Sequence, residues 1–480
     1  MTMSSRPNIL LLCSDHQQGR TVDPDCPCLT PTADRLAREG VRFSLAYTPV
    51  DLTGPAHASL LTGLYPTQHG MLNNWWSGPV LRTDINPGLV TYPQRLREAG
   101  YELSSVGAFP ATPRDPRDFG FQTVLLRGAG RPYRKPETWP PPPPKIRGEF
   151  KEAYIIERPG WGERLLFATI PGDRRLETEK TEAAVSEIRR LAKTGKPWFL
   201  RVKFGAPHDP YVVSERHLSL YKLDEVQLPP NFGDDLSDKP AIYRRWRKEL
   251  WSKLTEEDYR KALMHYWALT TCVDEEFGHI LDALDETGQA ENTLVIYTSD
   301  HGDMATSHGL FLKGVTPFEE VYRVPLIMRW PEGIREPGRE VDAFVTWLDL
   351  TATILDVAGA EPIPNSPGRS LLPFLRGEEP PDWPQDFFGQ FTGTEYYYTQ
   401  RILRTRDFKL VFNGFDFDEL YDLRSDPFEM RNLAHDPAYE EVKCKLYRRL
   451  WDRMIEVDDP LVAVHYPTVA LATYGPFVKC

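Results

Sequence analysis

The chain lacks any long hydrophobic run. Its 480 residues contain no uninterrupted apolar stretch of the ~18 residues that a membrane-spanning helix needs. The apolar run nearest the start, Ile9 to Cys13, is short and no small-residue cleavage site follows it. We interpret it as a buried strand and not as a signal peptide. These absences predict a cytoplasmic protein without a membrane partner.

Cysteine is also sparse. The six cysteines are Cys13, Cys26, Cys28, Cys272, Cys444 and Cys480. So few in a chain of this length favour a reducing compartment over a disulfide-held extracellular domain. Cys26 and Cys28 form an isolated C-x-C pair, which falls short of the thiols that a zinc site needs.

Positive charge is outnumbered by negative charge. The 57 Lys and Arg against 69 Asp and Glu give a formal charge of −12, which argues against nucleic acid as the partner. A local cluster of cations for a small anionic substrate stays compatible with this balance. A hydrophobic fraction of 41% suits a well-buried globular protein.

Strand-like and helix-like segments alternate along the chain. The segments 9–13, 198–204 and 294–299 are apolar enough for strands that are buried on both faces. Helices are predicted at 32–39, from 58 onward, at 89–99 and at 259–288. This alternation predicts an α/β fold with a large, doubly wound, mostly parallel sheet.

Differences in segment length and in the number of turns divide the chain into three parts. We assign residues 1–335 to the catalytic α/β domain, with an insertion at about 130–175 that contains the rigid run Pro140 to Pro144. Residues 336–455, with shorter segments and more turns, are assigned to a smaller C-terminal subdomain with an antiparallel sheet. Residues 456–480 form a tail that is a candidate oligomer arm.

Two of the predicted strands are followed by an acid and a histidine. Asp15 and His16 follow the first strand, and Asp300 and His301 follow the strand at 294–299. In parallel sheets, ligands bind beyond the carboxyl ends of the strands. A carboxylate and an imidazole at that edge are suitable ligands for a divalent ion. A capping acid with a surface histidine is the alternative, but the repetition favours a metal site.

Thr53 stands where a loop meets a helix, in the stretch TGPAHASLLTG. It could be a nucleophile that a metal ion activates, at a helix N-terminus that favours an anionic substrate. It could equally be a helix cap, which Gly54 and Pro55 also fit. The local sequence leaves both interpretations open.

Several other polar and aromatic residues accompany these motifs. His208 in APHDPY is a candidate general acid or substrate contact. Lys313 in SHGLFLKG is a candidate clamp for anionic oxygens. Trp75 and Trp76 follow Asn74, and they either line an aromatic pocket or pack in the core.

A series of motifs in this order is similar to a known family. PNILLLCSD, TPTADRLAREGVRFSLAYT, ASLLTGLYPTQHGM, TSDHGDM, SHGLFLKG, EEVYRVPLIMRWP, DLTATILDVAG and ELYDLRSDPFEMRNL resemble the sulfatase branch of the alkaline phosphatase superfamily, from about residue 7 to 436. The resemblance implies a large α/β domain with a small C-terminal sheet domain. It also implies homo-oligomers, which cytosolic relatives form through C-terminal arms.

The resemblance breaks at the family's signature. Members carry Cys-x-Pro-x-Arg, whose cysteine becomes the formylglycine nucleophile, whereas this chain has Thr53 and His57 at those two positions. Ala108 stands where members have the lysine of a GK-x-H segment. The chain is therefore expected to lack formylglycine.

The remaining pattern resembles the branches that act on phosphorus. An Asp followed by a distant Asp-His is similar to phosphonate monoester hydrolases and phosphodiesterases, and a threonine nucleophile is similar to the nucleotide pyrophosphatase/phosphodiesterase branch. The resemblance implies that Asp15, Thr53, Asp300 and His301 hold one divalent ion. Zn²⁺ or Mn²⁺ suits the imidazole ligand best, with Ca²⁺ or Mg²⁺ as alternatives. His16 is either a further ligand or a support for the ligands.

These observations predict a metal-dependent hydrolase of phosphodiesters or phosphonate monoesters with Thr53 as nucleophile. A formylglycine hydrate releases sulfate by returning to the aldehyde, but a threonine ester must be hydrolysed at phosphorus or sulfur. Hydrolysis of such an ester on a metal is common for phosphorus. Lys313 and Asn74 would stabilise the developing charge, His208 would assist the leaving group, and His57 would contact Thr53.

Two alternatives remain at this point. One is a sulfate ester hydrolase that works with an unmodified threonine. The other is a non-catalytic binding protein, which the loss of the family's Cys, Arg and Lys favours. In each case the expected partner is a small anionic ester and not a nucleic acid.

Overall fold

A computed structural model describes residues 6–76, 82–128, 148–158, 162–394, 398–462 and 474–476. The strands are β1 (Asn8–Ser14), β2 (Val41–Tyr47), β3 (Glu102–Gly107), β4 (Thr123–Leu125), β5 (Glu152–Arg158), β6 (Gly162–Ile170), β7 (Trp198–Lys203), β8 (Tyr211–Ser214), β9 (Thr293–Ser299), β10 (Leu326–Arg329), β11 (Arg339–Thr346), β12 (Asp386–Phe391), β13 (Gln400–Thr405), β14 (Phe408–Asn413) and β15 (Glu419–Asp422).

The helices lie mostly between these strands. They are α1 (Pro31–Glu39), α2 (Thr53–Thr62), α3 (Pro66–His69), α4 (Tyr92–Glu98), α5 (Thr178–Leu191), α6 (Glu215–Leu218), α7 (Ala241–Trp251), α8 (Glu256–Glu286), α9 (Glu319–Tyr322), α10 (Trp347–Ala358), α11 (Leu372–Leu375) and α12 (Glu440–Glu456). None of the described helices is both long enough and apolar enough to cross a membrane.

The large sheet has eight strands in the order β11-β2-β10-β9-β1-β7-β3-β4. The central strand β1 pairs in parallel with β9 and β7, so Ile9 lies opposite Leu294 and Phe199. β10 runs antiparallel to both of its neighbours. The prediction of an α/β fold with a mostly parallel sheet is confirmed.

Helices cover both faces of this sheet. Leu10 and Leu12 of β1 belong to one apolar cluster, whereas Ile9, Leu11 and Cys13 belong to the cluster on the opposite face. The alternation explains why the strand is apolar throughout, since every side chain of β1 is buried. Helix α8 contributes to the first cluster, and α2 and α10 contribute to the second.

The C-terminal sheet is smaller and antiparallel, as predicted, with the order β12-β13-β14-β15. It begins at Asp386, about fifty residues after the boundary that we predicted at 336. The intervening β11 pairs in parallel with β2 at the edge of the large sheet, and α10 packs on α2. A short strand in the sequence does not show which sheet it will join, and this explains the difference.

The insertion and the tail are described only in part. Of the predicted insertion, β5 and β6 form a third sheet with β8, while the run Pro140 to Pro144 lies outside the described residues. Most of the predicted oligomer arm, 463–473 and 477–480, also lies outside them. Cys444 is disulfide-bonded, which the low cysteine content did not predict.

Candidate active site

Two adjacent strand ends bring together the acids and histidines predicted from the sequence. Ser14 of β1 pairs with Ser299 of β9, so the next residues of both strands emerge side by side. Asp15 Oδ1 lies 3.7 Å from His301 Nε2, and Asp300 Oδ2 lies 3.7 Å from the same nitrogen. The two acids and His301 therefore meet at the sheet edge where parallel sheets usually bind their ligands.

Thr53 is the first residue of α2, and Leu52 occupies the cap position before it. The Thr53 hydroxyl lies 3.0 Å from His301 Nε2 and therefore points across the site, not back into its own helix. His301 Nδ1 lies 2.9 Å from the carbonyl of Gly302, to which it donates. Burial lowers the pKa of His301 to about 4, so its neutral Nε2 accepts the Thr53 hydrogen. This contact favours a functional threonine over a helix cap.

His16 enters the site in an unusual backbone conformation. Its φ of 68° lies in the left-handed region, which residues other than glycine seldom adopt. Its Nδ1 lies 2.7 Å from Asp303 Oδ2, and its Nε2 lies 3.9 Å from Asp15 Oδ1. The Lys313 ammonium contacts that same Nε2. With Nδ1 donating to Asp303, the Nε2 lone pair accepts from the Lys313 ammonium, which an ion bound at this nitrogen would displace.

These side chains fit a divalent ion. Donor atoms of Asp15, His16 and His301 all lie within 4.8 Å of one another. Among the described residues, Asp15 Oδ1 is a buried oxygen that has no hydrogen-bond partner, and such an oxygen is costly unless a cation satisfies it. The mixture of carboxylate and imidazole suits Zn²⁺ or Mn²⁺ better than Ca²⁺. His16 therefore stays a prediction with two forms, a further ligand or a support for the ligands.

A second set of possible donors overlaps the first. It consists of His16, His208 and Asp209, whose donor atoms also lie within 4.8 Å of one another. His208 donates from Nδ1 to the carbonyl of Asp209, 2.6 Å away. Since His16 belongs to both sets, a single ion at the Asp15–Asp300 pair stays our prediction.

Strand β7 places two buried cations beside the acids, and the sequence interpretation missed both. Lys203 Nζ lies 3.2 Å from Asp15 Oδ2 and 3.2 Å from Asp300 Oδ2. Arg201 donates to the carbonyl of Ala108 at 2.8 Å. The available signal was the presence of two charged residues inside the apolar run WFLRVKF, which a fully buried strand tolerates only when the charges are paired.

The structure places His57 beside Asp300 and Trp347. Its Nε2 lies 3.4 Å from Asp300 Oδ2, and its ring meets Trp347 edge-on at 5.2 Å. No hydrogen bond joins His57 to Thr53 among the described residues, so a contact with Thr53 stays a prediction. Burial lowers the pKa of His57 to about 3, and its neutral ring supports Asp300 from the helix side.

A cavity of about 570 Å³ opens onto the site. It is lined by His16, Asn74, Trp76, His208 and Lys313, together with other aromatic and charged residues. Trp76 therefore lines the cavity, which is one of the two positions that the sequence predicted for it.

The neighbours of Trp76 in the sequence have other contacts. Trp75 is buried in the core and donates its ring N–H to the carbonyl of Pro110 at 3.0 Å. Asn74 Oδ1 accepts the backbone N–H of Gly54 at 2.7 Å. Asn74 thus satisfies one of the free donors at the start of α2 and is fixed at the mouth of the site.

Comparison with protein-family models gives a match over most of the chain. The Sulfatase model matches residues 7–360, and the model of the C-terminal part of N-sulphoglucosamine sulphohydrolase matches residues 306–456. The chain belongs to the sulfatase family. This family lies in the alkaline phosphatase superfamily, whose members are hydrolases that use a divalent metal ion.

Relatives within the family have different activities in their names. The chain is 31% identical to an uncharacterized sulfatase, YidJ, of Escherichia coli over 95% of this chain and 88% of that protein. It is 29% identical to a choline-sulfatase of Rhizobium meliloti, covering 90% and 83% of the two chains. It is also similar to the solved phosphonate monoester hydrolase of Silicibacter pomeroyi, with a TM-score of 0.76, 25% identity, and coverage of 95% and 97%.

Proposed function

We propose that this sulfatase-family hydrolase cleaves phosphodiesters or phosphonate monoesters in a metal-dependent reaction with Thr53 as the nucleophile. The observation that carries the proposal is the 3.0 Å contact between the Thr53 hydroxyl and His301 Nε2, between the start of a helix and an acid pair. A buried hydroxyl held toward the expected ligands, and not toward its own helix, is what a nucleophile at this position requires. The similarity to a phosphonate monoester hydrolase supports the same substrate class.

The site residues have separate roles in the proposed reaction. Thr53 Oγ releases its proton to water and attacks phosphorus, forming a phosphothreonine ester as the bond to the leaving oxygen breaks and His208 protonates that oxygen. A divalent ion held by Asp15, His16, Asp300 and His301 would polarise the ester and make the Thr53 hydroxyl more acidic. Water then attacks phosphorus, the bond to Thr53 breaks, and the hydroxyl is restored. The positive end of α2 lies beside the anionic oxygens throughout.

His208 is suited to protonate the leaving oxygen. Its partial removal from water lowers its pKa, but the adjacent Asp209 carboxylate outweighs this effect and raises the pKa of His208 above its usual value. The raised pKa favours the protonated form of His208, and His208 lines the cavity where a leaving group would lie. Its ring lies 3.9 Å from that of His16, which keeps the proton donor next to the reacting centre.

Lys313 supplies a cation on the cavity wall. Its ammonium contacts His16 Nε2, and its side chain lines the cavity. An anionic ester that entered this cavity would meet Lys313 together with the side chain of Asn74. We assign both residues to the binding of the ester oxygens.

A sulfate ester is the second candidate substrate because several relatives are named as sulfatases. The two candidates differ at the second step. A phosphothreonine ester is hydrolysed by attack of water at phosphorus, which is common on metal sites. A sulfated threonine lacks the exit that formylglycine provides, which favours phosphorus over sulfur.

A matched panel of esters tests the proposal. Metal-loaded protein would be assayed with an aryl phosphodiester, a phosphonate monoester, a phosphate monoester and a sulfate ester. The diester or the phosphonate should turn over fastest, and Thr53→Ala should abolish that turnover. Thr62→Ala is the control, since Thr62 is buried in the same helix and donates to the carbonyl of Ala58 at 2.8 Å. Sulfate turnover above the others, or no turnover of any ester with metal bound, would contradict the proposal.

A further inference from the structure

Lys203 holds an unusual position for a lysine. It ends β7, pairs with Cys13 of β1 and Gly107 of β3, and only 1% of its side chain is exposed. Its ammonium donates to the carbonyl of Ser14 at 2.7 Å. The buried ammonium is therefore held by groups of the site itself.

The ammonium lies between the two acids that are expected to hold the ion. It is equidistant, at 3.2 Å, from one oxygen of Asp15 and one of Asp300. Two carboxylates and one ammonium leave one net negative charge. The second buried cation, Arg201, is directed at Ala108 and Ser105. Lys203 is therefore the cation that the acid pair contacts directly.

We propose that Lys203 is a built-in cation of the acid pair, which holds Asp15 and Asp300 together without metal and weakens the binding of a divalent ion. The inference rests on the metal site of the proposed function but not on any hydrolysis. Without a counter-charge, two buried carboxylates this close would repel each other strongly. With Lys203 present, half of the negative charge of the acid pair is already neutralised. A divalent ion that binds there is also repelled by the neighbouring ammonium, so it binds more weakly.

A second buried lysine provides a matched control. Lys409 in β14 is also 1% exposed, and its ammonium lies 2.7 Å from Glu429 Oε1 and 3.4 Å from Glu319 Oε1. It has the same burial and the same kind of acid pair, but these acids belong to the junction with the small sheet. Replacing it should lower stability without any effect on metal binding.

The test compares wild type, Lys203→Met and Lys409→Met, each purified with Mn²⁺ and then stripped by a chelator. Mn²⁺ binding is measured by calorimetry, and unfolding is followed with and without Mn²⁺. Lys203→Met should bind Mn²⁺ roughly tenfold or more tightly than wild type. Its metal-free form should melt at a lower temperature than metal-free wild type, and Mn²⁺ should remove that difference. Lys409→Met should melt lower in both forms, with wild-type affinity for Mn²⁺.

Two results would overturn the inference. One is an unchanged or weaker affinity of Lys203→Met for Mn²⁺. The other is failure of both Lys203→Met and the more conservative Lys203→Gln to fold in the presence of Mn²⁺, since the ion should then replace the missing charge. Neither readout uses a substrate. If the ester panel failed while the Mn²⁺ shifts appeared, the proposed hydrolysis would be wrong and this inference would stand.

Discussion

Replacing Asp303 by asparagine should move the ring hydrogen of His16 from Nδ1 to Nε2, the nitrogen that faces the site. Asp303 Oδ1 accepts three hydrogen bonds, from the N–H groups of Ala305 and Leu312 at 2.8 and 2.9 Å and from the Tyr211 hydroxyl at 2.9 Å. Among the residues that the structure describes, His16 alone donates to Asp303 Oδ2. In Asp303→Asn the amide oxygen should stay with the three donors, which places the NH₂ group against His16 Nδ1.

Two donors cannot face each other, so His16 should shift its hydrogen from Nδ1 to Nε2, and the Lys313 ammonium, which also only donates, should move away from Nε2. The Nε2 lone pair, which is needed to ligate an ion, would then be lost. Loss of a hydrogen-bond partner behind a ligating histidine typically costs ~10–100-fold in metal affinity. That range corresponds to about 1.4–2.8 kcal/mol of binding free energy.

Stability should change much less than metal binding. Burial raises the pKa of Asp303 to about 6, so above that pH the ionised carboxylate itself opposes folding. A neutral asparagine removes this cost and offsets much of the lost hydrogen bond, which is worth ~1 kcal/mol. The melting temperature of the metal-free variant at pH 7.5 should therefore stay close to that of metal-free wild type.

Calorimetric titration with Zn²⁺ or Mn²⁺ measures the predicted loss. Asp234→Asn is the control because Asp234 Oδ2 makes the same kind of buried contact with His308 Nδ1, at 2.6 Å, away from the acid pair. That variant should keep wild-type affinity. Equal metal affinity in wild type and Asp303→Asn would refute both the tautomer argument and the role of His16 as a ligand.

Three further predictions concern leaving groups, stability and pH. His208→Gln should slow the hydrolysis of alkyl esters by roughly 10²–10⁴-fold and that of nitrophenyl esters little; equal losses would exclude it as the proton donor. Arg401→Leu should destabilise the protein by about 3–5 kcal/mol in chemical denaturation, because it leaves Asp459 buried without the guanidinium that contacts both of its oxygens; an unchanged midpoint would refute this. Burial raises the pKa of Asp274 to about 7. Protonation of Asp274 therefore stabilises the folded protein fully below about pH 4, and this stabilisation is lost as the pH rises through about 7. Asp274→Asn should therefore lose less melting temperature than wild type across that window, and identical profiles would contradict the assignment.

The sequence predicted the part of the site that depends on local pattern and topology. The alternation of strands and helices placed Asp15 and Asp300 at one sheet edge because parallel strands share the direction of their carboxyl ends. The register of β1 with β9 bears this out at atomic distances. For Thr53, the pattern gave two interpretations, and the direction of its hydroxyl toward His301 is a fact that only the folded structure supplies.

The rest of the site depends on side-chain directions that no local pattern encodes. Lys203 and Asp303 are visible in the sequence as charged residues, but their importance follows from burial and from partners that are distant along the chain. His57 was assigned to Thr53 because it stands where members of the family have their signature arginine. In the folded protein its ring is directed at Asp300.

The most direct measurement of the central claim is the turnover of an aryl phosphodiester or phosphonate monoester by metal-loaded Thr53→Ala. The account predicts a loss of roughly a thousandfold or more in kcat relative to wild type, with equal metal content in both proteins. Thr53→Ser, which keeps a hydroxyl near His301 Nε2, should retain measurable turnover. If Thr53→Ala kept activity within tenfold of wild type, Thr53 would not be the nucleophile.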